Sequence, residues 1–195
     1  MAGFTNISKE KKFIFLHPMR NGGKSIELVL FNKPNIEGSA DHVKPNDWIK
    51  ELGEEEWSTY FKFGFTRNPW DRMVSLYFYR KNNLRSLRNI TFEQYLVKLK
   101  NNVKMSKTHK DKFNQHEWFY HDGNPIDFIG RFENYEEDFE KVKEILNLDK
   151  SLKLPSVNAS NKRKPYHEMY NDKTKSIVDE MFATDIEIFN YKFGE

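Results

Sequence analysis

Three short apolar runs, each followed by a stretch with helical spacing, organise this chain. Phe13-Ile-Phe-Leu16 is bounded by Lys12 and by His17-Pro18, the pattern of a short buried strand. A Gly22-Gly23 turn follows it, and residues 25–31 read as a helix ending near Asn32 and Pro34. Tyr60 to Thr66 is the second strand, feeding a helix from Pro69 to about Lys81. Asn68 suits the N-cap of that helix and Pro69 its first position. Ile126-Asp-Phe-Ile-Gly130 is the third strand. After it Asn134 is placed to cap a helix carrying Tyr135, Phe139, Val142, Ile145 and Leu146.

Between and after these units the pattern is weaker. Residues 45–52 hold a short helix. Thr91-Phe-Glu-Gln94 has the form of a capping box, with Tyr95, Leu96 and Leu99 on the apolar side behind it. Asp172 is placed to cap a last helix with Ile177, Val178, Met181 and Phe182. Residues 101–116 are polar with little periodicity and read as a surface loop; 158–166 reads as a basic loop. Strand–helix repetition of this kind predicts an α/β fold in three layers, a central, mostly parallel sheet flanked by helices. No linker divides the 195 residues, so the expectation is one domain over 1–195, with 1–11 as an N-terminal arm.

Composition narrows the partners. The chain is polar, with mean hydropathy -0.84, yet 15% aromatic with 17 Phe, which argues for a packed core and against disorder. Its 32 basic residues are interspersed with 29 acidic ones, for a net charge of +3, so a nucleic-acid binder driven by counterion release is disfavoured. With no cysteine there is no disulfide, thiol nucleophile or Cys-ligated zinc. No apolar run is long enough to span a bilayer, and the start of the chain lacks a secretory apolar region, so the expectation is a cytoplasmic protein without a membrane anchor.

Two segments carry anion-binding chemistry. Arg67 stands where the second strand gives way to a helix, and Arg72 and Ser75 lie one turn apart on one face of that helix, so the segment is expected to present two guanidinium groups and a hydroxyl. Arg20-Asn-Gly-Gly-Lys-Ser25 offers a second site, because adjacent glycines let backbone amides approach an anion at a helix N-terminus. Its Gly-Lys-Ser end half resembles a Walker A loop, but the first glycine of that motif would fall at Pro18. Two such sites suit a ligand with two separated anionic groups.

Together these residues resemble the sulfotransferases that use 3′-phosphoadenosine 5′-phosphosulfate (PAPS), in particular their carbohydrate-sulfating branch. Family members open with Pro-Lys-Thr-Gly-Gly-Thr-Ser, matched here by Met19-Arg-Asn-Gly-Gly-Lys-Ser25. They continue with Arg-Asn-Pro-x-x-Arg-x-x-Ser, complete here from Arg67 to Ser75. The stretch Phe128 to Phe139 and the ending, from Tyr166 to Tyr170 and from Asp185 to Tyr191, extend the likeness over roughly residues 12–193. The resemblance implies a P-loop nucleotide-kinase-like fold in a single domain and sulfuryl transfer from PAPS to an acceptor hydroxyl, with a carbohydrate favoured, leaving PAP.

It also implies roles. The loop residues Arg20, Asn21, Gly22, Gly23, Lys24 and Ser25 would bind the 5′ end, with either Arg20 or Lys24 replacing the family's lysine and Arg20 acting catalytically by neutralising charge on the leaving phosphate. Arg67 and Ser75 would hold the 3′-phosphate, with Arg163 on a late basic loop over it. His42, in Asp41-His-Val-Lys44, resembles the branch's general base, and a Glu remains the other candidate type. His17 reads as structural, and His109, His116 and His121 as possible acceptor contacts. No metal is implied, since side chains supply the cations. Two other readings stay open on the residues alone: a small P-loop kinase using ATP and magnesium, and a non-catalytic nucleotide- or RNA-binding module.

Overall fold

The computed structural model describes residues 4–32, 42–105, 114–155 and 164–195. The chain divides into two compact units. One comprises Met1–Thr66 and Glu117–Ala159, the other Arg67–His116 and Ser160–Glu195.

The first unit holds the central sheet, in the order β1 (Ile7–Ser8), β2 (Phe13–Leu16), β3 (Phe61–Thr66), β6 (Phe128–Arg131). β2–β3 and β3–β6 pair in parallel, and β1, within the segment expected as an arm, pairs antiparallel to β2. The α/β expectation therefore holds, and all three strands read from the sequence are present. Alternation along the strands explains the core. Phe13, Phe15, Phe63 and Phe65 point to one face, where Ile26 of α1 (Gly23–Phe31) and Phe139 and Val142 of α7 (Tyr135–Ile145) close over them. On the opposite face a Cβ at Gly64 would lie 2.4 Å from the ring of Phe119, so glycine there lets Phe119 pack against the strand itself. Phe119 ends α6 (His116–Phe119), which leads into a hairpin of β4 (Tyr120–His121) and β5 (Asn124–Pro125). The unit also contains α2 (Pro45–Leu52) and α3 (Glu54–Ser58).

The second unit is helical: α4 (Pro69–Asn83), α5 (Phe92–Met105), α8 (Asp172–Met181) and α9 (Ala183–Ile188). Asn68 caps α4 as expected, its Oδ1 accepting from the amides of Trp70 and Asp71, with Pro69 at the first position. The Thr91–Gln94 capping box is reciprocal, at 2.9 and 3.2 Å. Trp70, Tyr166, Tyr170 and Phe193 meet edge to face beside the start of α4.

Three local expectations need correction. Asn171, not Asp172, caps α8. Its Oδ1 accepts from Thr174 N while Thr174 Oγ1 accepts from Asn171 N, an exchange that Asp172 cannot make from inside the helix. Asn134 makes no side-chain cap, because a 3-10 turn over Phe132–Asn134 already leads the chain into α7. Residues 101–105 continue α5 and His116 opens α6; of the expected loop, 114–115 are irregular and 106–113 lie outside the described residues.

Candidate active site

In the first unit the loop after β2 is shaped by backbone. Arg20 at φ +72 and Gly22 at φ +83 both adopt the left-handed conformation, one a strained arginine and the other a glycine suited to it. A Cβ on Gly22 would lie 2.7 Å from the Tyr135 ring. The Tyr135 hydroxyl donates to Gly22 O at 2.7 Å. Burial pushes this phenol well above its ordinary range, while the Ile26 amide and the nearby Ser25 side chain pull it back. Tyr135 thus pins the turn and the first turn of α1 together.

The loop side chains divide in purpose. Asn21 is fully buried and its Nδ2 donates to Phe65 O at 2.7 Å, tying the loop to the end of β3. Ser25 is buried and donates to Pro155 O at 3.2 Å. Arg20 and Lys24 are half-buried. Gly23 opens α1 with its amide at the helix N-terminus, the arrangement that receives anions.

Behind the loop lies a buried polar pair that composition gave no hint of. His17 Nε2 is 3.1 Å from Glu27 Oε1, and Asn6 Nδ2 donates to the same oxygen at 3.1 Å. The His17 ring packs directly on Gly23, where a Cβ would lie 2.2 Å from Nδ1. His42 stands edge-on to His17 with ring centres 4.7 Å apart, and its Nδ1 lies 3.0 Å from His17 O. A carbonyl only accepts, so Nδ1 is the protonated nitrogen and Nε2 carries the lone pair in the neutral ring. The structure therefore brings His42 to the glycine loop through His17.

The second unit holds the Arg67 segment. Arg67 forks onto Asp71, with Nε and Nη2 at 2.8 and 2.6 Å from Oδ2. Its backbone is gripped on both sides by Gln115, whose Oε1 accepts from Arg67 N and whose Nε2 donates to Arg67 O, each at 2.8 Å. Gln115 and His116 are fixed in turn by the fully buried Asp185, which accepts both of their amides and lies 2.7 Å from His116 Nδ1. Ser75 is buried on α4. Arg72 departs from the expected presentation of two guanidinium groups, being wholly buried. Burial lowers its pKa to about 10, and the Asp185 carboxylate opposes that shift. It is therefore charged at neutral pH and serves the interior.

Arg163 and His109 lie outside the described residues. His121 contacts Asn46 at 2.9 Å. Among the described residues no three His, Cys, Asp or Glu side chains are grouped as a metal centre needs, and no helix is long and apolar enough to cross a membrane.

A family model described as the Sulfotransferase family matches residues 8–192. The chain belongs to the sulfotransferase family. Its chemistry is therefore that of a transferase handling sulfuryl groups. A curated protein of Archaeoglobus fulgidus, described as an uncharacterized protein, is 31% identical over 105 residues, covering 52% of this chain and 79% of its own length. No solved structure matches the chain. Several residues that hold this family's loop and Arg67 segment escaped the sequence reading. Tyr135 looked like an ordinary core position, and Gln115 and Asp185 act across 48 and 70 residues of chain, where no local spacing announces them.

Proposed function

We propose that this chain transfers a sulfuryl group from PAPS to an acceptor hydroxyl, on a carbohydrate, as one domain over residues 1–195. The observation that carries the reading is the hydrogen bond between His42 Nδ1 and His17 O, with the His17 ring lying on Gly23 of the loop. It supports a lone pair on Nε2 of a ring that meets the imidazole packed on Gly23. The residues fit the donor's 5′ end. Gly22 and Gly23 leave no room for side chains, α1 begins there, and Arg20 and Lys24 bring positive charge.

PAPS supplies the activated sulfuryl group: the acceptor oxygen bonds to sulfur as the sulfur–oxygen bond to phosphate breaks, and the electron pair leaves with the phosphate. His42 Nε2 takes the hydroxyl proton as that bond forms. Arg20 or Lys24, with the α1 amides and Ser25, stabilises charge at the phosphate. Asn21 positions the loop. Arg67 and Ser75 hold the 3′-phosphate, with Arg163 assigned to the same group from the sequence. Carbohydrate as the acceptor class rests on the sequence likeness to that branch.

Radiolabelled sulfuryl transfer to a panel of sugars, peptides and phenols tests the whole reading. His42→Ala should lower turnover by about 10²–10⁴-fold while PAP affinity stays nearly intact. Full activity in that variant moves the base to another residue, a Glu being the next type to test. Thermal shift separates ligand classes, since a ligand at 100 times its Kd stabilises by about 2.7 kcal/mol. PAP should raise Tm without magnesium; a shift only with ATP and magnesium would favour a kinase, and one only with RNA a binding module.

A further inference from the structure

We infer that Asp71 is the residue by which the Arg67 segment tells a 3′-phosphate from its 2′ isomer: it fixes the Arg67 guanidinium in place, so that position as well as charge decides which nucleotide is held. This rests on the PAPS reading above. The start of α4 does not supply the selection. Pro69 has no N–H, the Trp70 and Asp71 amides donate to Asn68 Oδ1 at 3.0 and 3.3 Å, and the Arg72 amide donates to Asn68 O at 2.8 Å. The Arg72 guanidinium is wholly enclosed. Capture of an anion here falls to the Arg67 side chain and the Ser75 hydroxyl.

Two grips hold Arg67, at opposite ends of the residue. Gln115 takes its N–H and C=O, each at 2.8 Å, which fixes the main chain. That alone leaves a long side chain whose torsions would wander. Asp71 closes the other end. Its Oδ2 accepts from Nε at 2.8 Å and from Nη2 at 2.6 Å, so one edge of the planar fork is held and its plane and direction follow. The pair is sheltered, with side-chain exposures of 10% and 24%, unlike the solvent-exposed ion pairs that water and salt loosen. Asp71 and Ser75 lie one turn apart on the same face of α4, so the carboxylate keeps the guanidinium on the side that carries the hydroxyl.

Fixed placement bears on the choice of ligand. The 2′ and 3′ oxygens sit on neighbouring carbons of one ribose, and the two phosphate isomers carry equal charge. A mobile guanidinium would follow either phosphate. One held by its Nε–Nη2 edge meets the phosphate at one position and misses it at the other. The carboxylate's own charge repels both isomers alike, so Asp71 acts on the ratio of their affinities. It acts through Arg67, as a positioning residue.

Calorimetric titration of the full chain with PAP and with adenosine 2′,5′-bisphosphate reads that ratio. Wild type should favour PAP by about tenfold or more, the value of one charge-assisted contact. Asp71→Ala should erase most of the preference. Asp71→Asn should keep most of it, because both bonds from Arg67 go to a single oxygen and an amide carbonyl accepts them as well. Both variants lose the same charge, and a general loosening of the fold lowers both affinities without moving the ratio. Equal ratios in the Asn and Ala variants, or no preference in wild type, overturn the proposal and leave the donor reading standing wherever PAP binds. The wild-type comparison needs no substituted protein to fold. Wild-type binding of 5′-AMP as tight as that of PAP removes the 3′-phosphate assignment and this proposal with it, and absence of PAP binding removes the donor reading as well.

Discussion

The glycine loop and the Arg67 segment, the two proposed anion sites, are built by different means. In the loop, the backbone does the holding. Gly22, Gly23 and Ser25 agree with the family pattern, while Met19, Arg20, Asn21 and Lys24 replace its Pro, Lys, Thr and Thr. The two retained glycines are positions where a Cβ has no room, with Tyr135 and His17 packed where side chains would otherwise stand. In the Arg67 segment every family position is kept, and here the side chains and their partners do the work: Asp71 on the guanidinium, Gln115 on the backbone, Asp185 beneath. A site made of amides tolerates exchange of its side chains. A site made of a guanidinium does not.

Substitutions can break that contrast. Asp185→Ala should have the largest effect, about 3–5 kcal/mol of stability lost in urea unfolding, because it strands the buried Arg72 charge and two amides. Gly22→Ala should cost about 1–3 kcal/mol through the clash with Tyr135, with about 1–2 kcal/mol from the left-handed φ, and should weaken PAP binding measured by calorimetry. Arg67→Ala should weaken PAP by about 1.5–3 kcal/mol, the value of a charge-assisted contact. Unchanged affinity would remove the 3′-phosphate assignment. Tyr135→Phe deletes only the hydroxyl on Gly22 O and should cost about 0.5–1.5 kcal/mol, appearing as a higher KM for the donor with kcat little changed. Arg20→Lys, which restores the family's residue type, should change stability by less than about 0.5 kcal/mol. A large loss would mean that the arginine fork itself is used, and the loop would then belong with the side-chain sites.

Much of the fold was legible because its signals are local. Phe13 to Leu16 is a short continuous apolar run and Phe61 to Phe65 alternates, both strand patterns, and Asn68-Pro69 and Thr91 to Gln94 satisfy helix amides within three residues. The site was legible where it is built from a contiguous motif, as at residues 19–25 and 67–75. It was not legible where burial decides. Arg72 carries the same charge as Arg67 and follows it in the same motif, yet it is enclosed, and nothing in its neighbours distinguishes a presented guanidinium from a buried one. His17 read as structural from its place at the end of a strand. Its pairing with Glu27 needs strand β2 and helix α1 side by side, and that comes from tertiary packing. Asn171 and Asp172 are both good caps, and the choice fell on the one whose spacing to Thr174 closes a reciprocal pair.

The Gln115 clamp makes position 67 an interchangeable socket. Because the side-chain amide reads only the N–H and C=O of the residue it holds, every amino acid except proline can be seated there by the same two bonds. Charge, length and shape at this point can be varied with the main chain held in place, so a series through Lys, Gln, Met and Glu would measure what the side chain contributes to anion capture apart from where the chain runs.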